Sequence, residues 1–437
     1  MTKRLSRLFA LALGMSLVMG ILAACGSGTT GTTTTSSTIT IKIATELPVS
    51  GADASSGKPA ENGAHMAVDE ANADPNFLPG YKFEFDPQDD VGASGIHDPS
   101  VGAKNVTSLI SDALVAGIVG PFNSNVAKSE MPITNQAPIV QISPANTNTC
   151  LTQEGADIGC SGADDLIPTL RPTGKVTYFR VATTDSNQGP VGADFAFKKL
   201  NLKSVYIIDD TEVYGTGLAA AFEKEFNKLG GKVLGHDSIK STTDYTQELT
   251  KIAAAKPDVI YFAGLDSTGG INIRKQMVGI PALANVPFIG GDGLQTSSMA
   301  SAIGTGKGGP VYATVATVDP TQLPSAKDFL TKYNAKYPNA YGAYAAAGYD
   351  CAKIILLAVK AAVQAGAKAP TSSADTDTAK TFRQAVIDQV AKIDYNGVTG
   401  HQSFDKNGDT SAKTITIFQL ADVNGKPDWK YADAITL

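Results

Sequence analysis

Residues 114–124, Leu-Val-Ala-Gly-Ile-Val-Gly-Pro-Phe-Asn-Ser, contain the transition that decides the fold. The first seven residues form a continuous apolar run of the length expected for a buried strand. A Gly-Pro pair then ends the run, and Ser124 can begin a helix because serine is favoured at helix N-termini. A buried strand followed directly by a helix is typical of a parallel sheet covered by helices.

The same alternation of apolar runs and amphipathic stretches extends to both sides of this segment. Two such series follow each other, the second from about residue 178, and no Pro- or Ser-rich linker separates them. We therefore predict an α/β protein with two lobes in one body that spans residues 39–437. The predicted strands are 40–47, 81–85, 114–120, 137–143, 203–210, 232–235, 258–264, 286–291 and 413–420, and the predicted helices are 57–73, 100–111, 217–229, 245–255 and several between 327 and 391.

The N-terminal segment resembles a bacterial lipoprotein signal. A basic start precedes an apolar run over residues 8–24, and Leu-Ala-Ala-Cys ends it at Cys25. We expect residues 1–24 to be a signal peptide, Cys25 to carry a lipid, and the Gly-, Ser- and Thr-rich residues 25–38 to be a flexible tether. A transmembrane helix is the alternative, but the run of 17 residues falls short of the roughly 20 that a span needs. The body is accordingly expected outside the cytoplasm, anchored to the cell membrane.

The other cysteines fit an exported protein. Cys150 and Cys160 enclose a short polar segment, which predicts a disulfide, with a metal pair as the weaker alternative. Cys351 lies in an Ala-rich helical stretch and is expected to be a buried small side chain rather than a nucleophile.

Composition and motifs exclude several function classes. The formal net charge of −6 gives no support to nucleic-acid binding, and the four histidines are scattered. The Gly-rich segments match neither a P-loop nor a dinucleotide fingerprint, so no cofactor is expected. We find no nucleophile with a base and an orienting acid, so we do not expect an enzyme. Residues 405–409, Asp-Lys-Asn-Gly-Asp, begin like a calcium loop but lack its closing Glu, and a turn is the better interpretation.

Short segments along almost the whole body occur in the order found in one known family. The chain resembles the leucine/isoleucine/valine-binding proteins, which are type I periplasmic binding proteins that serve ABC importers. The match covers about residues 39–420, and the order of the segments carries it more than any one of them. These segments include 41–44, 62–64, 67–72, 118–121, 142–147, 180–189, 210–215, 348–350 and 395–405.

The resemblance implies two Rossmann-like lobes with parallel sheets, joined by three crossing strands, and a ligand cleft between the lobes. General rules for open α/β sheets agree, because ligands bind beyond the carboxyl ends of the strands. The implied crossings lie near residues 181, 317 and 398, so that lobe 1 comprises residues 39–181 and 318–398 and lobe 2 comprises residues 182–317 and 399–437.

The resemblance also implies three ligand-binding positions on lobe 1. Ser124 follows the strand quoted above, and its hydroxyl and nearby amides could accept a carboxylate. Ala145 and Thr147, in Ser-Pro-Ala-Asn-Thr, match positions that hold the α-carboxylate and α-amine of an amino acid. The alternative is that these are ordinary cap and turn residues, which serine and threonine favour.

Lobe 2 is expected to contribute charge. Asp185 and Asp292 resemble the family's acids that face an ammonium group, which needs a fixed counter-charge once it is desolvated. Tyr214 resembles an aromatic residue that lies over the ligand backbone. The alternatives are a turn residue between glycines for Asp292 and a surface tyrosine at a helix start for Tyr214.

The expected function is that of a monomeric substrate-binding protein that delivers an amino acid to an ABC permease. The chain departs from the branched-chain pattern at Ser56 and at Leu265-Asp266, where the prototypes carry tyrosines, so the side chain of the ligand is open. A surface ligand sensor, and a binding protein for short amides, urea or aromatic acids, are the alternatives. A surface hydrolase is a third class, which the lack of catalytic residues argues against.

Overall fold

A computed structural model describes residues 38–437, which form one compact unit. The predicted signal peptide, the predicted lipidation site at Cys25 and the predicted tether up to residue 37 lie outside the described residues. Within residues 38–437, no helix combines the length and the apolar character needed to cross a bilayer.

Fourteen strands are found in the described part of the chain, and most lie where apolar runs predict them. Their bounds are β1 Ile39–Leu47, β2 Tyr81–Asp89, β3 Val115–Val119, β4 Val140–Ser143, β5 Tyr178–Arg180, β6 Ser204–Asp209, β7 Lys232–Ser238, β8 Val259–Ala263, β9 Phe288–Gly290, β10 Val311–Val315, β11 Tyr395–Gly397, β12 Gly400–Gln402, β13 Thr414–Val423 and β14 Lys426–Thr436. The central strands β3, β4, β8 and β9 are buried at every position, as expected for sheets covered on both faces.

Twelve α-helices connect or cover the strands in the same part of the chain. Their bounds are α1 Ala54–Ala73, α2 Pro99–Ser111, α3 Ser124–Gln136, α4 Ile167–Leu170, α5 Asp185–Asp194, α6 Val213–Lys228, α7 Thr246–Ala255, α8 Ile271–Gly279, α9 Ser297–Ile303, α10 Lys327–Lys336, α11 Ala345–Gln364 and α12 Thr376–Val390. Local sequence explains several starts: Asp98 caps α2 ahead of Pro99, and Thr296 caps α9.

The first sheet has five parallel strands in the order β2-β1-β3-β4-β5. Helices α1, α11 and α12 cover one of its faces, and α2 and α3 cover the other. All five strands come from residues 39–180, whereas α11 and α12 return to this sheet from much later in the chain. We call this sheet and its helices the first half.

The second sheet has seven strands in the order β14-β13-β10-β9-β8-β6-β7. Helices α5 and α6 cover one face, and α7, α8 and α9 cover the other. Five strands are parallel, and the hairpin β13–β14 adds two antiparallel strands at one edge. We call this sheet and its helices the second half. The predicted fold class, α/β with parallel sheets in two lobes, is confirmed.

The segments that connect the halves run beside one another. The amide of Thr183, just after β5, donates to the carbonyl of Ala316, just after β10. The hydroxyl of Thr416 in β13 donates to the carbonyl of Thr317 at 2.8 Å. Near residue 398 lies the turn of the small hairpin β11–β12, which is a sheet of its own. The crossing points and lobe boundaries named above stay predictions.

The cysteines and the Asp-rich turn are found as expected. Cys150 and Cys160 form a disulfide, and Cys351 is a buried free thiol. Residues 405–409 form a turn in which the Asp405 carboxylate accepts from the amides of Asn407 and Asp409. Among the residues that the structure describes, no group of three or more His, Cys, Asp or Glu side chains is placed to hold a metal ion.

Candidate functional site

The loops after β3 and β4 are tied into one surface. The backbone at Gly120 has φ 137°, and a Cβ there would lie 2.2 Å from the carbonyl oxygen of Glu46, so only glycine fits. The hydroxyl of Ser143 donates to the carbonyl of Pro121 at 2.6 Å and accepts from the amide of Asn146 at 2.9 Å. These bonds fix the two loops in relation to each other at the carboxyl edge of the first sheet.

The three sequence-predicted residues of the first half lie on these two loops. Ser124 is the first residue of α3 and is buried, so its amide lies at the positive end of the helix. Ala145 and Thr147 follow β4 and are 4% and 1% exposed. The hydroxyl of Thr147 has no hydrogen-bond partner among the described residues.

The predicted acids of the second half lie deep between the two halves. Asp185 begins α5, and its amide donates to the carbonyl of Thr147 at 2.7 Å, so it directly adjoins the first-half loops. Both of its carboxylate oxygens are buried, and no described residue donates a hydrogen bond to either. Burial and the negative charge of Asp292 raise the pKa of Asp185 well above its ordinary value, and the nearby Thr147 hydroxyl and Arg180 charge oppose the rise.

Asp292 is the better satisfied of the two acids. It begins a short turn after β9, and its carboxylate accepts from Gln188 at 2.7 Å, Tyr214 at 2.9 Å and Tyr344 at 3.0 Å. Burial raises its pKa, and these hydrogen bonds oppose the rise. Asp292 is therefore held in place by donors from α5, from α6 and from the residue before α11.

Tyr214 is not a surface residue. It is the second residue of α6, is 7% exposed and directs its hydroxyl to Asp292. Burial and the charges of Asp292 and Asp185 raise the pKa of its phenol well above the ordinary value, so it stays a neutral donor. The structure thus brings Thr147, Asp185, Asp292 and Tyr214 into one network, with Ser124 and Ala145 on the adjoining loops.

Three further residues belong to this network and were not predicted. Gln188 lies one turn after Asp185 on α5, and Tyr344 reaches Asp292 from the first half. Arg180 is fully buried, binds the Asp409 carboxylate at 2.7 Å and donates to the carbonyl of Asn148 at 2.7 Å. It thereby supports the loop that carries Thr147. Arg180 and Gln188 lie within segments that carried the family resemblance, but Tyr344 precedes its helix without any sequence signal.

One departure from the branched-chain pattern also has a structural account. Asp266 is 3% exposed, and its carboxylate accepts from the hydroxyl of Thr296, the cap of α9. Burial raises the pKa of Asp266 to about 7. The preceding Leu265 is 8% exposed and packs with Tyr214 in the core beside α6.

The arrangement suits binding of a small solute with charge at both ends. Hydroxyls and amides at the start of α3 and after β4 can accept an anionic group. Two buried carboxylates can neutralise a cationic group, and Asp185 lacks any partner for that role in the described protein.

Comparison with known proteins identifies the family. The family model described as periplasmic binding protein matches residues 40–426. The chain belongs to this family. This periplasmic binding protein is 27% identical over 428 residues to the amino acid binding protein of Pseudomonas aeruginosa, with 97% of this chain and 98% of the relative covered. It is 31% identical over 288 residues to the Leu/Ile/Val-binding protein BraC3 of Rhizobium johnstonii, with 66% and 70% covered.

A solved structure supports the same assignment. The substrate binding protein LivJ of a branched-chain amino acid transporter from Streptococcus pneumoniae, in complex with isoleucine, shares 25% identity. The TM-score is 0.70, and the alignment covers 90% of the periplasmic binding protein described here and 100% of LivJ. The family resemblance predicted from the sequence is confirmed.

Proposed function

We propose that this chain is the substrate-binding lipoprotein of an ABC importer and that it captures an amino acid by closure of two lobes. The observation that carries the proposal is the Asp185 carboxylate, which is buried near Asp292 and accepts no hydrogen bond from the described residues. A buried anion without a partner is costly, so the site is suited to a ligand that brings a positive charge.

The proposal assigns a role to each site residue, and the positions of these residues support the assignment. The ammonium group binds between Asp185, Asp292 and the hydroxyl of Thr147, while Tyr214 covers the ligand. The carboxylate group binds at the start of α3, at Ser124, and at the backbone of Ala145 and Thr147. Because these residues come from both halves, the ligand favours the closed state through its differential affinity for that state.

The names of relatives support amino acids as the ligand class. One relative is named for amino acids, one for leucine, isoleucine and valine, and the LivJ structure contains isoleucine. In the proposal the ligand is a branched-chain or related amino acid, and the closed form docks on the membrane permease. Lipid at Cys25 and the tether over residues 25–38 would hold the body near that permease. Loss of palmitate labelling and of membrane retention in Cys25→Ala would test the anchor.

A thermal-shift screen tests the ligand class. Residues 38–437 form a compact unit and can be screened against the twenty amino acids, short amides, urea and aromatic acids. A ligand at a hundredfold excess over its dissociation constant adds about 2.7 kcal/mol of stability, which raises the unfolding midpoint measurably. We expect shifts with one class of amino acids.

Two variants sharpen the screen. Asp292→Asn should abolish the amino-acid shift, whereas Glu130→Gln, which changes a buried carboxylate bonded to Gln141 inside the first half, should retain it. Shifts caused only by compounds without an α-amino group, or an intact shift in Asp292→Asn, would contradict the proposed site.

A further inference from the structure

A histidine bridges the two halves through residues other than the six predicted ligand-binding residues. His97 lies between β2 and α2 of the first half, and its side chain is fully buried. Its Nδ1 lies 2.7 Å from Oδ2 of Asp53, and its Nε2 lies 2.9 Å from Oε2 of Glu212. Asp53 belongs to the first half, but Glu212 directly precedes α6 in the second half. The hydroxyl of Ser267, after β8, also donates to Asp53 across the halves.

Unusual backbone conformations position the bridging side chains in both halves. Gly51 has φ 59°, and a Cβ there would lie 2.2 Å from the carbonyl of Gly95, so a close backbone contact brings Asp53 and His97 together. On the other side, Thr211 has φ 69°, which is unusual for a β-branched residue. Its amide is held by the Asp209 carboxylate at 2.8 Å, and this turn presents Glu212 to His97.

The groups of the bridge have few hydrogen-bonding positions left for a solute. One oxygen of Asp53 accepts from Ser267, and the other accepts from both the amide and Nδ1 of His97. Both ring nitrogens of His97 face carboxylates, which suits an imidazole that is protonated and donates twice. Nε2 has one further polar neighbour, Nδ2 of Asn125 in α3 at 3.2 Å. Asp185, by contrast, has no donor. The bridge is therefore satisfied by protein groups alone, and it exists only while the halves are together.

We propose that His97 is a positioning residue of the closed state, which latches the two halves through Asp53 and Glu212 without contacting the ligand. The inference rests on the proposed closure of two lobes. In this role the latch adds to ligand affinity by stabilising the closed form, and its strength depends on the charge of His97.

The charges around His97 determine its pH range. Although burial lowers the pKa of His97, the bonds to Asp53 and Glu212 raise it to about 10. Asp90, which directly follows β2, is also buried near His97. Burial raises the pKa of Asp90, and the charge of His97 opposes this rise. Two more acids lie near the partners of His97. Burial and the charge of Glu212 raise the pKa of Asp210, and burial and the charge of Asp53 raise the pKa of Asp266. The latch should hold at neutral pH and weaken as pH rises towards 10.

The chain contains a matched control. His236 in β7 lies between two carboxylates in the same way, with Nε2 2.9 Å from Asp209 and Nδ1 2.7 Å from Glu223. Both of its partners, in β6 and α6, belong to the second half. Loss of His236 therefore removes a similar imidazole bridge that makes no contact between the halves, and the Asp209 carboxylate can still accept from the amide of Thr211 and the hydroxyl of Ser238.

Pulsed electron paramagnetic resonance can measure the latch without knowledge of the ligand. In the body of residues 38–437, spin labels on cysteines introduced at the exposed Lys104 and Asn227 report the distance between α2 and α6, and the free thiol within that body, Cys351, is buried. In ligand-free protein at pH 7.5 we expect the closed-to-open ratio to fall about tenfold in Glu212→Ala and His97→Gln, but not in His236→Gln. In the labelled protein without further substitutions, the closed-to-open ratio should also fall between pH 7.5 and 10.5. Glu212→Ala should remove that pH dependence.

A mixture of the twenty amino acids separates this inference from the proposed function. Equal ratios in the parent and Glu212→Ala, including the case in which both are fully open, would overturn the latch. A clear difference between them, together with distances that the amino acids leave unchanged, would support the latch and contradict the amino-acid ligand.

Discussion

Two clusters of buried carboxylates in this protein look alike by burial but differ in what surrounds them. Asp185 and Asp292 lie between the halves, within reach of loops from both. Glu46, Asp90 and Glu130 lie inside the first half, near α2 and α3.

The cluster of Glu46, Asp90 and Glu130, here called the inner cluster, accepts hydrogen bonds from residues of the first half. Glu130 accepts from Gln141 at 2.7 Å, and Glu46 accepts from Asn105 at 3.1 Å. Burial raises the pKa of Glu130 to about 8 and that of Glu46 well above its ordinary value, and the charge of Glu130 adds to the rise at Glu46. These groups can therefore remain protonated at neutral pH. Burial alone therefore does not distinguish the proposed binding site; its position between the two halves does.

The largest expected effect is a loss of stability with rising pH. Burial raises the pKa of acids in both clusters, and Glu130 gives the size of the effect. An unfolded glutamate ionises near its ordinary pKa of 4.5, whereas Glu130 retains its proton up to about pH 8. Rising pH between these values therefore favours the unfolded chain. One such proton lowers the free energy of unfolding by about 4 kcal/mol from pH 5 to pH 8. Chemical denaturation at several pH values measures this slope, and a flat profile would contradict the assignment.

The second prediction separates the clusters by ligand affinity. Asp185→Asn removes the counter-charge of the ammonium and should weaken amino-acid binding about 100-fold, as for loss of one partner of a buried charge pair. Because Asp185 has no partner in the ligand-free protein, the same change should raise its unfolding midpoint. Titration calorimetry and thermal unfolding measure the two effects. Unchanged affinity would place the ligand elsewhere.

The third prediction addresses the inner cluster alone. Glu130→Gln mimics the protonated acid and can still accept from Gln141. It should remove the loss described above, so that the free energy of unfolding at pH 8 rises by up to about 4 kcal/mol. Affinity for the amino acid should not change. A decrease in stability at pH 8 would show that Glu130 is ionised in the folded protein.

The smallest expected effect tests the donors around Asp292. Tyr344→Phe removes one of its three side-chain donors and should weaken binding about three- to tenfold, the range for one hydrogen bond. Tyr337→Phe is a suitable control, because that hydroxyl has no hydrogen-bond partner among the described residues. An equal effect of both substitutions would argue against a specific role for Tyr344.

Sequence patterns predicted the sheets well where strands are apolar on both faces, as in β3 and β8. They missed β14, whose residues are mostly exposed and alternate charged and small side chains without an apolar run. They also placed the starts of α1 and α6 a few residues late, because Ala54 and Val213 follow polar turns without a strong start signal.

The site was partly predictable for a similar reason. Residues that directly follow a strand, such as Ser124 and Thr147, can be placed from local sequence together with the family pattern. Tyr344 and His97 could not be placed, because their partners Asp292 and Glu212 are distant in sequence and meet them only when the halves come together. The buried Glu130 was invisible because its burial depends on how separate elements pack around it.

The hairpin that closes the second sheet has a consequence for association between molecules. The edge strand β14 is 11 residues long, and a long edge of free amides and carbonyls is a template for pairing with another chain. This strand, however, carries Lys426, Pro427, Asp428 and Lys430, and a register shift bends its pairing with β13 near Phe418. Proline supplies no amide, and charged side chains on an edge strand disfavour its pairing with another chain. Even where many copies are crowded together, this edge resists the growth of sheets between molecules.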